Sequence, residues 1–74
     1  MNKDILEGNW KQIKGRVKEF WGDLTDDDLD RIEGRRDILV GTLQERYGYT
    51  RQEAEESLNG FLDDYEANYS KSYN

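Results

Sequence analysis

The sequence predicts an all-α fold, a small bundle of three to four amphipathic helices. Three observations predict it. Apolar residues recur at steps of three and four through most of the 74 residues. Helix N-cap signals stand before two of those stripes, and no run alternates apolar and polar residues in the manner of a strand. Proline is absent, so seven glycines and the capping residues divide the chain.

The first stripe is Leu6, Trp10, Ile13, Val17, Phe20 or Trp21, and Leu24. It predicts a helix over residues 5–21, closed by Gly22 in the left-handed conformation. Gly8 and Gly15 inside it each cost about 1 kcal/mol relative to alanine, so this helix depends on packing. Trp10 and Trp21 lie about three helical turns apart and share the stripe with Val17. Both are expected to be largely buried anchors of the core, with ligand stacking as the alternative role.

A second helix starts after Thr25, which with Asp28 three residues later forms a capping box with aspartate in place of glutamate. Asp26, Asp27 and Asp28 place three carboxylates at the positive helix end. Leu29, Ile32, Leu39, Leu43 and Tyr47 continue the apolar face, but Gly34, Arg35, Arg36 and Asp37 interrupt it. The pattern predicts a short helix near 26–33 and a longer one near 36–47, with one bent helix as the alternative. Gly48 supplies the closing cap. Thr50 and Glu53 form a second capping box, and Ala54, Leu58, Phe61 or Leu62, and Tyr65 make the stripe of a last helix near 51–66. One domain over 1–66 and a frayed tail over 67–74 follow. Tyr47 and Tyr65 belong to the core, Tyr69 and Tyr73 to the tail.

A weak internal repeat runs through this layout. Gly8, Gly15 and Gly22 are spaced at sevens, as are Gly34, Gly41 and Gly48, 26 residues later. The same offset pairs Ile13 with Leu39, Val17 with Leu43 and Trp21 with Tyr47. Either two similar helical hairpins or a seam of closely approaching helices accounts for the glycine spacing.

Composition bounds the function. Cysteine and histidine are both absent, which excludes disulfides, thiolate nucleophiles, imidazole catalysis and zinc sites of the usual kind. The longest apolar run is Ile38, Leu39 and Val40, too short for a membrane span or a signal-peptide core. A net charge of −6 disfavours standing association with nucleic acid or an anionic membrane. Its sign alternates: +2 over residues 1–22, −5 over 23–33, +1 over 34–50 and −4 over 51–74.

Four cations are the candidate interaction face. Lys11, Lys14 and Lys18 share one side of the first helix, with Arg16 at its edge. The face could track phosphates, with Trp10 or Trp21 for stacking, or be a solvated surface turned to the acidic residues that follow. Asp26, Asp28 and Asp30 have the spacing that opens a calcium loop, but Arg31 stands where that loop needs glycine and Asp37 where it needs a bidentate glutamate. Capping and dipole compensation account for them instead. The carboxylates of Glu53, Glu55, Glu56, Asp63, Asp64 and Glu66 have no nucleophile to serve and read as a solvated face. No catalytic, cofactor or metal residue is expected, and no small-molecule substrate.

The run Gly8-Asn9-Trp10-Lys11-Gln12, Lys14-Gly15-Arg16-Val17-Lys18-Glu19, Trp21-Gly22 and Leu24-Thr25-Asp26-Asp27-Asp28-Leu29 resembles the start of the CsbD-like family of small bacterial stress-associated proteins. Ile32-Glu33-Gly34, Arg36-Asp37, Leu39-Val40-Gly41 and Leu43-Gln44-Glu45-Arg46-Tyr47-Gly48-Tyr49 extend the likeness, which covers residues 1–56. The resemblance implies a helical bundle similar to the sterile-alpha-motif arrangement, in the cytoplasm and raised in the general stress response. It supplies no catalytic residue. A monomeric, non-enzymatic stress-response protein acting by abundance, hydration or protein contact is expected. The alternative is a module presenting the basic face to nucleic acid or to an acidic protein.

Overall fold

Why the chain breaks where it does is visible from its first turns. In the computed structural model, which describes the backbone of residues 2–73 and the side chains of residues 5–68, five helices follow one another: α1 (Asn2–Gly8), α2 (Trp10–Phe20), α3 (Asp26–Ile32), α4 (Arg36–Tyr47) and α5 (Arg51–Tyr73). No strand occurs among the described residues. The expected first helix over 5–21 is therefore two, divided at Asn9 (φ −117°, ψ 24°). Glycine followed by asparagine is a poor helix pair, one losing backbone entropy and the other preferring turns, and the stripe running across them concealed the break. Leu6 and Ile13, on either side, are both fully buried.

The next boundaries follow local chemistry. Gly22 does not take the left-handed conformation expected of it; α2 is capped by Trp21, whose N–H donates to the Val17 carbonyl at 2.8 Å. Thr25 Oγ1 accepts from the Asp28 N–H at 3.1 Å, and Asp28 Oδ2 accepts from the Thr25 N–H at 3.0 Å, completing the first capping box. Two helices rather than one bent helix occupy 26–47, because Glu33 (φ 49°) and Gly34 (φ 81°) are both left-handed. Gly48 (φ 70°) closes α4 as expected, and Thr50 and Glu53 exchange the two bonds of the second box. The last helix runs past its expected end near residue 66 to Tyr73. The proposed tail over 67–74 falls mostly on positions whose side chains lie outside those described.

Among the described residues the core is a single cluster of 14 buried apolar residues. It takes Leu6 from α1, Ile13 and Val17 from α2, Trp21 and Leu24 from the following turn, Leu29 and Ile32 from α3, Leu39, Val40 and Leu43 from α4, and Ala54, Leu58, Phe61 and Leu62 from α5. Where the sequence offered Phe20 or Trp21, the structure buries Trp21 and leaves Phe20 exposed; of Phe61 and Leu62 it buries both. Trp10, expected to be largely buried, is half-buried at the edge of the cluster, as are Tyr47 and Tyr65. α4 packs along α5, α3 lies on α4, and α1 touches α2, α4 and α5. Thr42, the buried hydroxyl of α4, donates to the Ile38 carbonyl at 2.8 Å.

The internal repeat has a structural counterpart: α2 corresponds to α4, and the Thr25 cap to the Thr50 cap, 25 residues on. The glycine seam does not. A Cβ added at Gly8, Gly15, Gly22, Gly41 or Gly48 would meet nothing within 4 Å. Gly34 alone of the six makes a close approach, its missing Cβ lying 3.1 Å from Glu7 Cα, 3.2 Å from the Leu6 carbonyl oxygen and 3.2 Å from Trp10 Cβ. The α3–α4 turn thus rests directly on the α1–α2 break.

Three substitutions test this packing. Gly34→Ala, strained by its φ and with backbone in the way, should cost about 2 kcal/mol or more. Trp21→Ala should cost about 3–5 kcal/mol and Trp10→Ala clearly less. Urea unfolding followed by circular dichroism measures all three. Equal losses for the two tryptophans would contradict the burial described.

Candidate functional site

The four cations nominated from the sequence lie on α2, all exposed. An 11-residue helix with Ile13 and Val17 turned inward must turn the neighbouring Lys11, Lys14, Arg16 and Lys18 toward solvent. They do not form an unopposed positive field. Lys18 Nζ donates to Asp26 Oδ1 at 2.7 Å, bridging the end of α2 to the first turn of α3. The hydrogen bond and charge of Lys18, with a smaller contribution from Lys14, hold the Asp26 carboxyl below its ordinary value. The pair is exposed, 47% on the lysine and 82% on the aspartate, so it adds little to stability.

The site with the strongest electrostatics is one the sequence disclosed only in part. Asp28, read as a capping residue, is 1% exposed. Its Oδ2 accepts from the Thr25 N–H and from Arg46 Nε at 2.9 Å; its Oδ1 accepts from Arg46 Nη2 at 2.9 Å and from Arg31 Nη2 at 3.0 Å. Arg46 therefore grips the carboxylate with both prongs of its guanidinium. The arginine's hydrogen bonds lead, the Thr25 amide assists, and together they outweigh the cost of burial and hold the Asp28 carboxyl far below the usual carboxylate range. Asp28 in turn raises Arg46. Arg31, three residues on, was a visible signal; Arg46, 18 residues away on another helix, was not. Calcium coordination by Asp26, Asp28 and Asp30 finds no support in this geometry, since Asp28 is turned to two arginines, and no acidic cluster suited to a metal occurs among the described residues.

Grooves lined by described residues include two of interest. One, about 440 Å³, is lined by Arg35, Arg36, Arg51, Val40 and three carboxylates, Glu7, Asp37 and Glu55. Four of its six charged residues meet partners within the chain: Arg36 donates to Asn59 Oδ1 at 2.6 Å, Arg51 to Glu55 at 3.3 Å, and Asp37 accepts from the Ile38 N–H. Another, about 200 Å³, lies between α2 and α5 beside Phe20 and Phe61. Sequence reasoning found neither groove, because each joins elements far apart in the chain. No described helix is long and apolar enough to cross a membrane.

Comparison with known proteins agrees with the motif order. The family model described as CsbD-like matches residues 4–56. The UPF0337 protein YjbJ of Escherichia coli is 64% identical over 58 residues, 78% of this chain and 84% of its own length. A UPF0337 protein of Pectobacterium atrosepticum is 60% identical over 63 residues, 85% of this chain and 91% of its own. One from Pseudomonas aeruginosa is 52% identical over 63 residues, 85% and 97%.

The Asp28 site sets a pH dependence. Its carboxyl is lowered on folding, so its contribution is complete above the unfolded value of about 3.9 and is lost as the pH falls through that value toward the folded one. Melting temperature should hold from about pH 7 to 5 and fall below about pH 4. Asp28→Asn should lower stability at neutral pH by about 2 kcal/mol and flatten the acid limb. Thermal melts across the range measure both. An unchanged acid limb in the variant would assign the acid sensitivity to other carboxylates.

Proposed function

Because the chain belongs to the CsbD-like family, we propose that it is a small, acidic, non-enzymatic stress-response protein of the cytoplasm, acting by abundance, surface hydration or contact with protein. One observation carries this: the buried carboxylate of Asp28 is neutralised inside the chain by Arg31 and Arg46, and Lys18 of the basic face is paired with Asp26. Asp28, the carboxylate most displaced from its ordinary acidity, has both oxygens engaged by Thr25, Arg31 and Arg46. A group held so firmly in its ionised form by neighbouring donors is poorly placed to exchange protons with a substrate near neutral pH. Its role is to join helices.

The same observation weighs against the basic face of α2 as a nucleic-acid site. Counterion release needs cations free to meet phosphates, whereas Lys18 is already paired with Asp26, and Lys14 stands close enough to stabilise the same carboxylate. Lys11 and Arg16 remain as exposed cations of that helix. On a chain of net charge −6, two or three uncommitted cations support weak, salt-sensitive association at most.

Fluorescence anisotropy with labelled single- and double-stranded DNA and RNA tests this. At about 150 mM salt no binding tighter than about 100 μM is expected. Submicromolar binding abolished by changing Lys11, Lys14 and Lys18 to glutamine would replace the proposal with a nucleic-acid module.

A further inference from the structure

The turn between α3 and α4, residues 33–35, divides the core evenly. Of the 14 core residues, seven lie before it, from Leu6 to Ile32, and seven after it, from Leu39 to Leu62. The contacts that organise the molecule cross between those halves. Arg46 grips Asp28, Tyr47 Oη accepts from the Asp23 N–H, Trp21 and Phe61 meet with ring centroids 5.1 Å apart, and Tyr65 Oη donates to Gln12 Oε1 at 3.4 Å. Neither half buries its apolar faces without the other.

The turn that joins them is strained. Glu33, with φ 49°, is the non-glycine residue of positive φ among those described, a conformation costly to any residue with a Cβ. The sequence is also in phase to run straight through: on an uninterrupted helix Leu29, Ile32, Leu39 and Leu43 share one face, with the half-buried Arg36 between them. A short, strained connection between two complementary halves is the arrangement in which chains exchange halves. We propose that residues 33–35 are a hinge for domain swapping and that a second copy of this chain is the partner, α1–α3 of each copy packing on α4 and α5 of the other. No new surface is needed, because every contact across that interface is one the single chain already makes. The Asp28–Arg46 junction then forms between chains. The swap relieves Glu33 and gives up the seat of Gly34 on α1 and the bond from the Arg35 N–H to the Ile32 carbonyl. Halves joined by so short a connection see each other at an effective concentration of about a millimolar or more, so the closed monomer prevails in dilute solution. The halves part only when the core opens, and a dimer once formed is lost as slowly as the chain unfolds.

Refolding the full chain from urea at about 10 μM and at about 1 mM, followed by size exclusion with mass detection, tests the proposal. The dilute sample should hold the 8.8 kDa monomer, and the concentrated one should add a species of twice that mass that persists on dilution. Glu33→Gly, at ease in the closed turn, should lower the dimer fraction at least about threefold. Gly34→Ala, which penalises the closed turn and not the open one, should raise it by as much. The dimer of the parent gives a readout that needs no variant. In dimer refolded from a mixture of isotope-labelled and unlabelled chains, filtered cross-peaks between the Trp21 and Phe61 rings should run from one chain to the other. A parent of 8.8 kDa at every concentration, a dimer fraction not lowered by Glu33→Gly, a folded Gly34→Ala with no more dimer than the parent, or a dimer whose Trp21–Phe61 cross-peaks stay within each chain would overturn it.

Discussion

The carboxylate of Asp28 is the point from which the helix arrangement is fixed. It sits where α3 begins, is removed from water, and takes donors from the backbone before its own helix, from the next turn, and from the far end of α4. A buried carboxylate without such partners would cost several kcal/mol, so its burial is compatible only with those donors in place. Its two oxygens have distinct duties: one completes the cap on Thr25 while bonding Arg46, and the other joins the two arginines. Moving α4 along its axis by a turn would remove Arg46 and leave the charge uncompensated. The apolar core tolerates small shifts in packing, whereas this junction admits one register.

Around that junction the chain spreads a small core over many short elements. Tyr47 shows how the remaining pieces are gathered: its hydroxyl accepts from the Asp23 N–H at 3.1 Å, tying the end of α4 to the α2–α3 turn, while its ring stacks 5.5 Å from Tyr49. The α2–α3 turn is therefore held by the Lys18–Asp26 bridge on one side and by a tyrosine on the other. The left-handed residues Glu33 and Gly34 bring the next turn back against α1. Polar contacts fix the turns, and apolar burial fixes the helices to one another.

Much of the fold was legible in the sequence because its determinants are local. Thr25 with Asp28 and Thr50 with Glu53 announce helix starts three residues ahead, and the spacing of Leu39 and Leu43 or Ala54 and Leu58 identifies the buried face. What stayed hidden depended on distant residues or on competition between neighbours. Phe20 and Trp21 each suit the stripe and both rings touch Phe61 of α5, yet it is Trp21 that turns inward. Gly34 looks like any turn glycine until α1 is placed against it. The candidate face on α2 was found as a set of exposed cations, but its pairing with Asp26 belongs to the geometry of the α2–α3 turn. Asp28 was recognised as a cap, while its ion pair with Arg46 required α4 to be in place.

The spacing of those contacts along the chain has an energetic meaning of its own. The Asp28–Arg46 junction closes a span of 18 residues, whereas the Tyr65–Gln12 bond that joins α5 to α2 closes one of 53. Because loop-closure entropy grows only with the logarithm of length, the longer closure costs just about 1 kcal/mol more than the shorter one. Most of the remaining bonds are helical or capping bonds a few residues apart, the low-contact-order organisation that folds rapidly. A modest core can therefore hold five helices: little of its burial energy is consumed in bringing distant parts of the chain together.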